Sequence, residues 1–445
     1  MKALNLFSNS VVILLFAGLS ISTVFAQTTK TETVTKVYDI PPSGSLYLTS
    51  YNANIEILTW DRNEVKVVGE LTYKGKGSKE DIDILFNAFK SMDAESSKDV
   101  LNWKLTLIKS AYLKKSLFRK DLIIVLHNGD ETSSMVANDI QPNYTIWIPA
   151  TLNVKADIRL GKMKMASIKG NVDFTLSNNN LEMGDFGASG IFNTRFSTIT
   201  VGSGGTSKFD VNNGNVNASE LKNVTINARF SNFNIARAYD VSIDINNGTA
   251  VFGMVNDINA SARFSTIRFE GNAGKSKFDF NNSNLFGKNF QTMEISARFS
   301  NFNAANIVDA KINSANNSNF DFATVSTFVC NESRFNTFKL AEIVVDASFP
   351  DANNTTVNIN NTSASFTGFS GNFRFGTVNL KLNPTVEYNL NYTGTFGQLN
   401  GISPEKFKTR YISDTSGSTT TIQGLNAGAK CNIEIVASNT SCKIE

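Results

Sequence analysis

A short segment of the form Ala-Arg-Phe-Ser returns along this chain, with its arginine at Arg195, Arg229, Arg263, Arg298, Arg334 and Arg374. The steps are 34, 34, 35, 36 and 40 residues, and Arg159, in the weaker DIRLGKM, lies 36 before the first. Between these arginines stands a second motif, a pair of asparagines: Asn178-Asn179, Asn212-Asn213, Asn246-Asn247, Asn281-Asn282, Asn316-Asn317 and Asn360-Asn361. Aligning the second Asn of each pair with the Phe after each Arg gives positions 179, 196, 213, 230, 247, 264, 282, 299, 317 and 335. The unit is therefore 17 or 18 residues long and comes in two alternating flavours. A fixed period of this kind marks a stacked repeat, in which no unit can bury its apolar face alone.

Each unit reads as strand, bend, strand. In VTINARFSNFNIARAYD, Val224, Ile226, Ala228 and Phe230 alternate with Thr225, Asn227 and Arg229, the period-2 pattern of a half-buried strand. Ser231-Asn232 breaks that register, and Phe233 and Ile235 resume it. The Asn flavour does the same, with Val241, Ile243 and Ile245 inward, a bend at Asn247-Gly248, then Ala250 and Phe252. Gly, Asn and Ser suit such bends because they accept turn conformations at low cost. No unit carries a helical pattern. The expected fold is all-β: a right-handed parallel β-helix, or β-solenoid, of strand-turn-strand units of about 17 residues. Phe196, Phe230, Phe264, Phe299 and Phe335 are expected in its core.

The flanks lack the repeat. The first 26 residues have the parts of a secretory signal: Lys2, an apolar run from Val11 to Leu19, and Val24-Phe25-Ala26 before Gln27. The run is shorter than the roughly 20 residues a membrane-spanning helix needs. No later segment reaches that length, so no transmembrane segment is expected in the mature chain. Residues 27–150 form an N-terminal β region with one helix, 78–98, capped by Ser78 and carrying Ile82, Leu85, Phe86, Phe89 and Met92 on one face. That face is expected to cover the open end of the solenoid, 151–384, and 385–445 to form a C-terminal β cap.

Three stretches resemble the putative adhesin family of exported bacterial β-strand-repeat domains of unknown function. They are KVYDIPPSGSLYLTSYNANIEILTWDRNEVKVVGE, NYTIWIPATLNVKADIRLGKMKMASIKGNVDF and the final CNIEIVAS. The resemblance implies a single-stranded right-handed β-helix, export to the envelope and no established activity. The Asn-rich repeats depart from the more Gly-rich ones usual in that family.

Chemistry-bearing residues are sparse. His127, in VLHNGD, is the single histidine. It cannot complete a common metal triad, and nucleophilic catalysis of the triad type would rest on it alone, so it reads as a turn residue. Glycan-cleaving β-helix enzymes work without His, through carboxylates gathered in one groove. The candidates here, Asp173, Asp210, Asp244 and Asp279, recur with the repeat and face outward, whereas a catalytic pair is local and irregular. No catalytic residue, cofactor or metal is assigned. Lys plus Arg exceeds Asp plus Glu by 42 − 39 = 3, too near balance to argue for nucleic acid. The basic stretch Lys109 to Lys120 reads as a solvated loop. Of Cys330, Cys431 and Cys442, the last two could pair in an oxidising compartment or remain buried thiols.

The repeated arginine is the candidate site. Arg229 lies between Ala228 and Phe230 and points to solvent, so Arg195, Arg229, Arg263, Arg298, Arg334 and Arg374 should form an outward row. A 17-residue coil sets successive arginines two strand spacings apart, about 9 to 10 Å; a 34-residue coil sets them about 4.8 Å apart, where like charges repel. Identical stacking of Phe and Asn speaks for the longer coil, but two strands and two bends per unit already complete the shorter one. The expected partner of the row is an anionic glycan or another surface macromolecule. The chain is expected to leave by the Sec pathway for the periplasm, cell surface or medium. There it would serve as a non-enzymatic adhesin-like binding module, with a structural or signalling envelope protein as the alternative.

Overall fold

The computed structural model describes residues 28–115 and 120–445; the expected signal sequence, 1–26, lies outside the described residues. From Asn153–Met165 to Thr377–Leu380, each strand pairs in parallel with one in the next coil. Asn215 faces Asn232, Asn232 faces Thr249 and Thr249 faces Thr266, a step of 17 residues each time. One coil is thus a single repeat unit, and the architecture is a parallel β-solenoid.

The parity of the unit explains both its wall and a correction to the expected core. Val224, Ile226 and Ala228 point inward and Arg229 outward, as the alternation requires. At Phe230 the chain does not continue as a strand. It turns with φ of 50°, in the left-handed region, and the ring points to solvent. Ser231 then lies inside, Asn232 outside and Phe233 inside. Phe196, Phe264, Phe299 and Phe335 behave as Phe230 does, so none of the five is core. The interior is built instead from the strand phenylalanines, which stack coil on coil. The Phe320 ring lies 5.1 Å from Phe302 and 4.8 Å from Phe338, both stacked nearly parallel to it.

At the N-terminal end the parallel stack already includes Ser45–Trp60, which pairs with Asn153–Met165 on one side. On its other side it pairs with Val100–Lys104 and Ile140–Pro149. Glu64–Gly75 and then Thr28–Asp39 add to Ile140–Pro149 in antiparallel fashion. The helix Lys79–Ser91 packs over this end, with Ile82, Leu85, Phe86 and Phe89 buried. Phe89 sits 6.3 Å from the Tyr144 ring, and a Cβ on Gly69 would press on both rings, which is why that strand position is bare. Ser78 caps the helix by accepting from the Asp81 N–H at 3.1 Å. The helix is shorter than the expected 78–98. The His127 ring nitrogen and Ser91 hydroxyl both bond the Ala88 carbonyl at 2.8 Å, and Ala94–Ser96 leaves to pair with Val100–Lys104. His127 therefore stands in the turn after Lys120–Leu126, as expected, and also closes the helix end. Where it is described, the basic stretch is strand and not loop: Ile108–Lys115 and Lys120–Leu126 pair antiparallel.

The C-terminal end departs from chain order. Cys431–Ser438 inserts between Gly368–Arg374 and Tyr388–Thr395, parallel to both. The coil that comes last in sequence is therefore not last in space. Thr419–Leu425 and Arg410–Ser416 then add antiparallel strands beyond Tyr388–Thr395. All three cysteines are buried and free, so the Cys431–Cys442 bridge does not form. Burial pushes the Cys431 thiol up to about 11 and the Cys442 thiol up to about 12, as expected of small apolar side chains.

Candidate functional site

The end of the outward strand and the corner after it carry the two motifs. In the ladder, Arg195 faces Asn212, Asn212 faces Arg229, Arg229 faces Asn246 and Asn246 faces Arg263. The alternation continues through Asn281, Arg298, Asn316, Arg334 and Asn353 to Arg374. All six arginines are exposed, in one row, with one guanidinium per two coils or about 9 to 10 Å. Asn353-Asn354, rather than Asn360-Asn361, is the pair in this row, and Asn178 rather than Asn179 is the corner residue of its coil.

The arginines differ in their partners. Arg334 and Arg374 share Asp351, at 3.4 and 2.8 Å. Among the described residues, Arg195, Arg229, Arg263 and Arg298 make no ion pair within the chain. Two residues before this row runs a second one, in which Asp210, Asn227, Asp244, Ser261 and Asp279 follow one another from coil to coil. Each of its carboxylates is thus one coil removed from an arginine, diagonally. Asp173 stands outside it, two positions earlier on its strand, 2.9 Å from Lys155. Arg159, Arg195, Arg229 and Arg263, with Asp210 and Asp244, line one groove of about 890 Å³.

The corner itself forms a third row. Its residues in spatial order are Asn52, Leu160, Asn178, Phe196, Asn213, Phe230, Asn247, Phe264, Asn282, Phe299, Asn317, Phe335, Asn354, Phe375, Asn439 and Phe396, all with φ between 48° and 58°. Asn alternates with a large apolar residue throughout. The alternation survives the crossed chain order at the C-terminal end: Ser438 faces Arg374 on one side and Thr395 on the other, which puts Asn439 between Phe375 and Phe396. The seven phenylalanines are 57–71% exposed and Leu160 is 39% exposed.

Two kinds of hydrogen bond hold this corner. From Phe196 to Phe375 the N–H of each corner residue still donates to the next coil, as Phe230 does to the Asn246 carbonyl at 3.0 Å. Beneath it a buried serine fills the turn: the Ser265 hydroxyl lies 2.7 Å from the Arg263 carbonyl and accepts from the Gly248 N–H at 3.2 Å. Ser231, Ser283, Ser300 and Ser318 receive the N–H one coil back in the same way. In the Asn coils the exposed pair bonds to itself, Asn213 to Asn212 and Asn247 to Asn246, both at 2.6 Å. Asn tolerates the left-handed region, whereas it costs other L-residues about 1–2 kcal/mol. An exposed Phe there has neither backbone preference nor burial to recommend it.

The arrangement suits binding of an extended object along one edge of the solenoid. Among the described residues no three His, Cys, Asp or Glu side chains converge on a point where a metal could sit. The arginine row was readable from the repeat. The corner row was not, because strict alternation assigns Phe230 and its equivalents to the inward set. The one available signal was that Asn, a left-handed-region residue, occupies the equivalent position in every other unit.

No family model and no curated protein matches this chain. Among solved structures, it is similar to a putative cell adhesion protein from Clostridium sporogenes ATCC 15579, with 8% identity and a TM-score of 0.16, over 93% of this chain and 99% of that one. A putative adhesin from Bacteroides fragilis NCTC 9343 is 12% identical, with a TM-score of 0.25, over 57% of this chain and 97% of that one. A putative lipid binding protein from Parabacteroides distasonis ATCC 8503 is 10% identical, with a TM-score of 0.15, over 93% and 96%.

Proposed function

We propose that this protein is an exported, non-enzymatic, adhesin-like binding module of the cell envelope or cell surface, and that Arg195, Arg229, Arg263, Arg298, Arg334 and Arg374 are its contact row for an acidic glycan. The reading is carried by the four consecutive guanidiniums, Arg195 to Arg298, that stand exposed at every second coil with no acidic partner among the described residues. A guanidinium left free in this way offers a bidentate grip on a carboxylate or sulfate. Held in a row, several weak contacts add up to useful avidity on a polymer. A non-enzymatic role is supported by the regularity of the groove, whose carboxylates repeat with the coil instead of converging on one point.

Replacing Arg229, Arg263 and Arg298 together by Gln should leave the far-ultraviolet spectrum intact and abolish retention on immobilised acidic glycans. Retention of the unaltered protein should weaken with salt, since exposed charges are screened over about 8 to 10 Å at physiological strength. Unchanged retention in the triple variant would remove the row from the binding surface. Protease shaving of intact cells tests the location, and a protein wholly protected from it is not at the surface.

A further inference from the structure

We propose that the exposed apolar corner row, Leu160 through Phe396, is the second half of the same track, and that its occupant is a linear polysaccharide with a disaccharide repeat bearing one anionic group. The inference rests on the reading of the arginine row as a glycan contact and adds the units that the polymer must have. The corner needs a residue that accepts φ near 50°, and Asn meets that need in every other coil. If a turn were all that selection required, Asn would serve in the remaining coils as well. Those coils carry instead a side chain that is unfavourable there and largely bare to water.

The spatial order strengthens the point. Between Phe375 and Phe396 the chain breaks its own sequence, yet Asn439 arrives from the final segment to keep one ring per two coils. What is maintained is a spacing in space, about 9 to 10 Å, and not merely a repeat in sequence. In the coils from Arg195 to Arg374, each ring also follows directly on a row arginine. An occupant with a matching period offers one apolar face and one negative charge per repeat, and two sugar rings in an extended chain span about this distance. Sugar rings present C–H faces that pack on an aromatic face, while their hydroxyls can bond the exposed Asn pairs and the Asp210, Asp244 and Asp279 carboxylates.

The charge pattern disfavours a nucleic acid. Duplex DNA carries one charge per about 1.7 Å of axis, far denser than one guanidinium per two coils.

The test is binding of hyaluronan oligosaccharides, which carry one carboxylate per disaccharide, to the full chain and to a variant with Phe230→Asn, Phe264→Asn and Phe299→Asn. Asn already occupies this conformation in neighbouring coils, so the variant should fold as well as the parent. The expected result is at least a tenfold loss of affinity with no loss of stability. If this variant binds as the parent does while the triple arginine variant does not, the apolar row is not part of the track and the arginine reading stands alone. If the parent binds neither hyaluronan nor chondroitin sulfate, both readings fall. Equal binding of a thirty-nucleotide thymidine strand overturns the proposal in favour of a general polyanion surface. It is overturned also if sedimentation shows the parent self-associating, the phenylalanine variant monomeric, and glycan binding unaltered.

Discussion

Phe320 and Phe335 belong to successive coils, yet Phe320 is 1% exposed and Phe335 is 59% exposed. Phe320 sits in a strand, where the pleat sends it inward between Phe302 and Phe338. Phe335 sits on the left-handed corner, where the pleat is interrupted and the side chain swings out. The same side chain is thus structural cement at one position and exposed surface at the other, and one backbone dihedral decides which. The contrast predicts its largest effect on the inner side. Phe320→Ala should cost about 3–5 kcal/mol, because it removes a ring packed on both faces and opens a cavity that its neighbours cannot fill. A shift of the denaturant midpoint worth less than about 1 kcal/mol would mean that the stacked rings are not the core that holds the coils together.

Much of this was legible beforehand, and the exceptions share a cause. The 17-residue unit follows from positions alone, and inward Val224, Ile226, Ala228, Phe233 and Ile235 all occupy the side that alternation assigns. Outward Arg229 and its equivalents followed by the same logic. Phe230 did not, since a period-2 pattern presumes that the strand continues, and nothing in the hydrophobicity of Ala-Arg-Phe-Ser says that it stops after Arg. The reading of Ser231 as a bend residue was correct in kind, but the bend begins one residue earlier. The extent of the helix and the crossed order of the last coils depend on contacts between segments far apart in sequence, such as His127 on Ala88 and Cys431–Ser438 between two earlier strands. Local pattern carries no trace of either.

If the corner and not the hydrophobicity decides the side, then the corner's own hydrogen bonds should matter more than its exposed ring. Ser265→Ala tests this. The hydroxyl is the partner of the partly buried Gly248 N–H and also reaches the Ile245 carbonyl at 3.2 Å. Its removal leaves that donor without its partner, a loss of about 1 kcal/mol. Hydrogen exchange at the Gly248 amide should accelerate locally even where the rest of the coil stays protected. A variant as stable as the parent would show that the serine fills the turn without supporting it.

A similarly small effect should come from writing the Phe flavour into an Asn coil. In Asn247→Phe the backbone already holds φ of 55°, so the new side chain inherits a conformation it disfavours. It also deletes the bond from the Asn247 amide to Asn246, which is exposed and contributes little. The ring would project to solvent between Phe230 and Phe264, and nothing in the interior would change. The expected cost is therefore the left-handed penalty of about 1–2 kcal/mol, well below that of Phe320→Ala although both changes concern a phenylalanine. Fluorescence quenching cannot follow Phe conveniently, so the readout is the denaturant midpoint by far-ultraviolet circular dichroism, beside the parent and Phe264→Asn. The two corner changes should move the midpoint in opposite directions, Phe264→Asn upward and Asn247→Phe downward. Should Phe264→Asn instead lower stability by as much as Phe320→Ala does, the corner ring would be a packing residue after all, and its alternation with Asn would need no ligand to explain it.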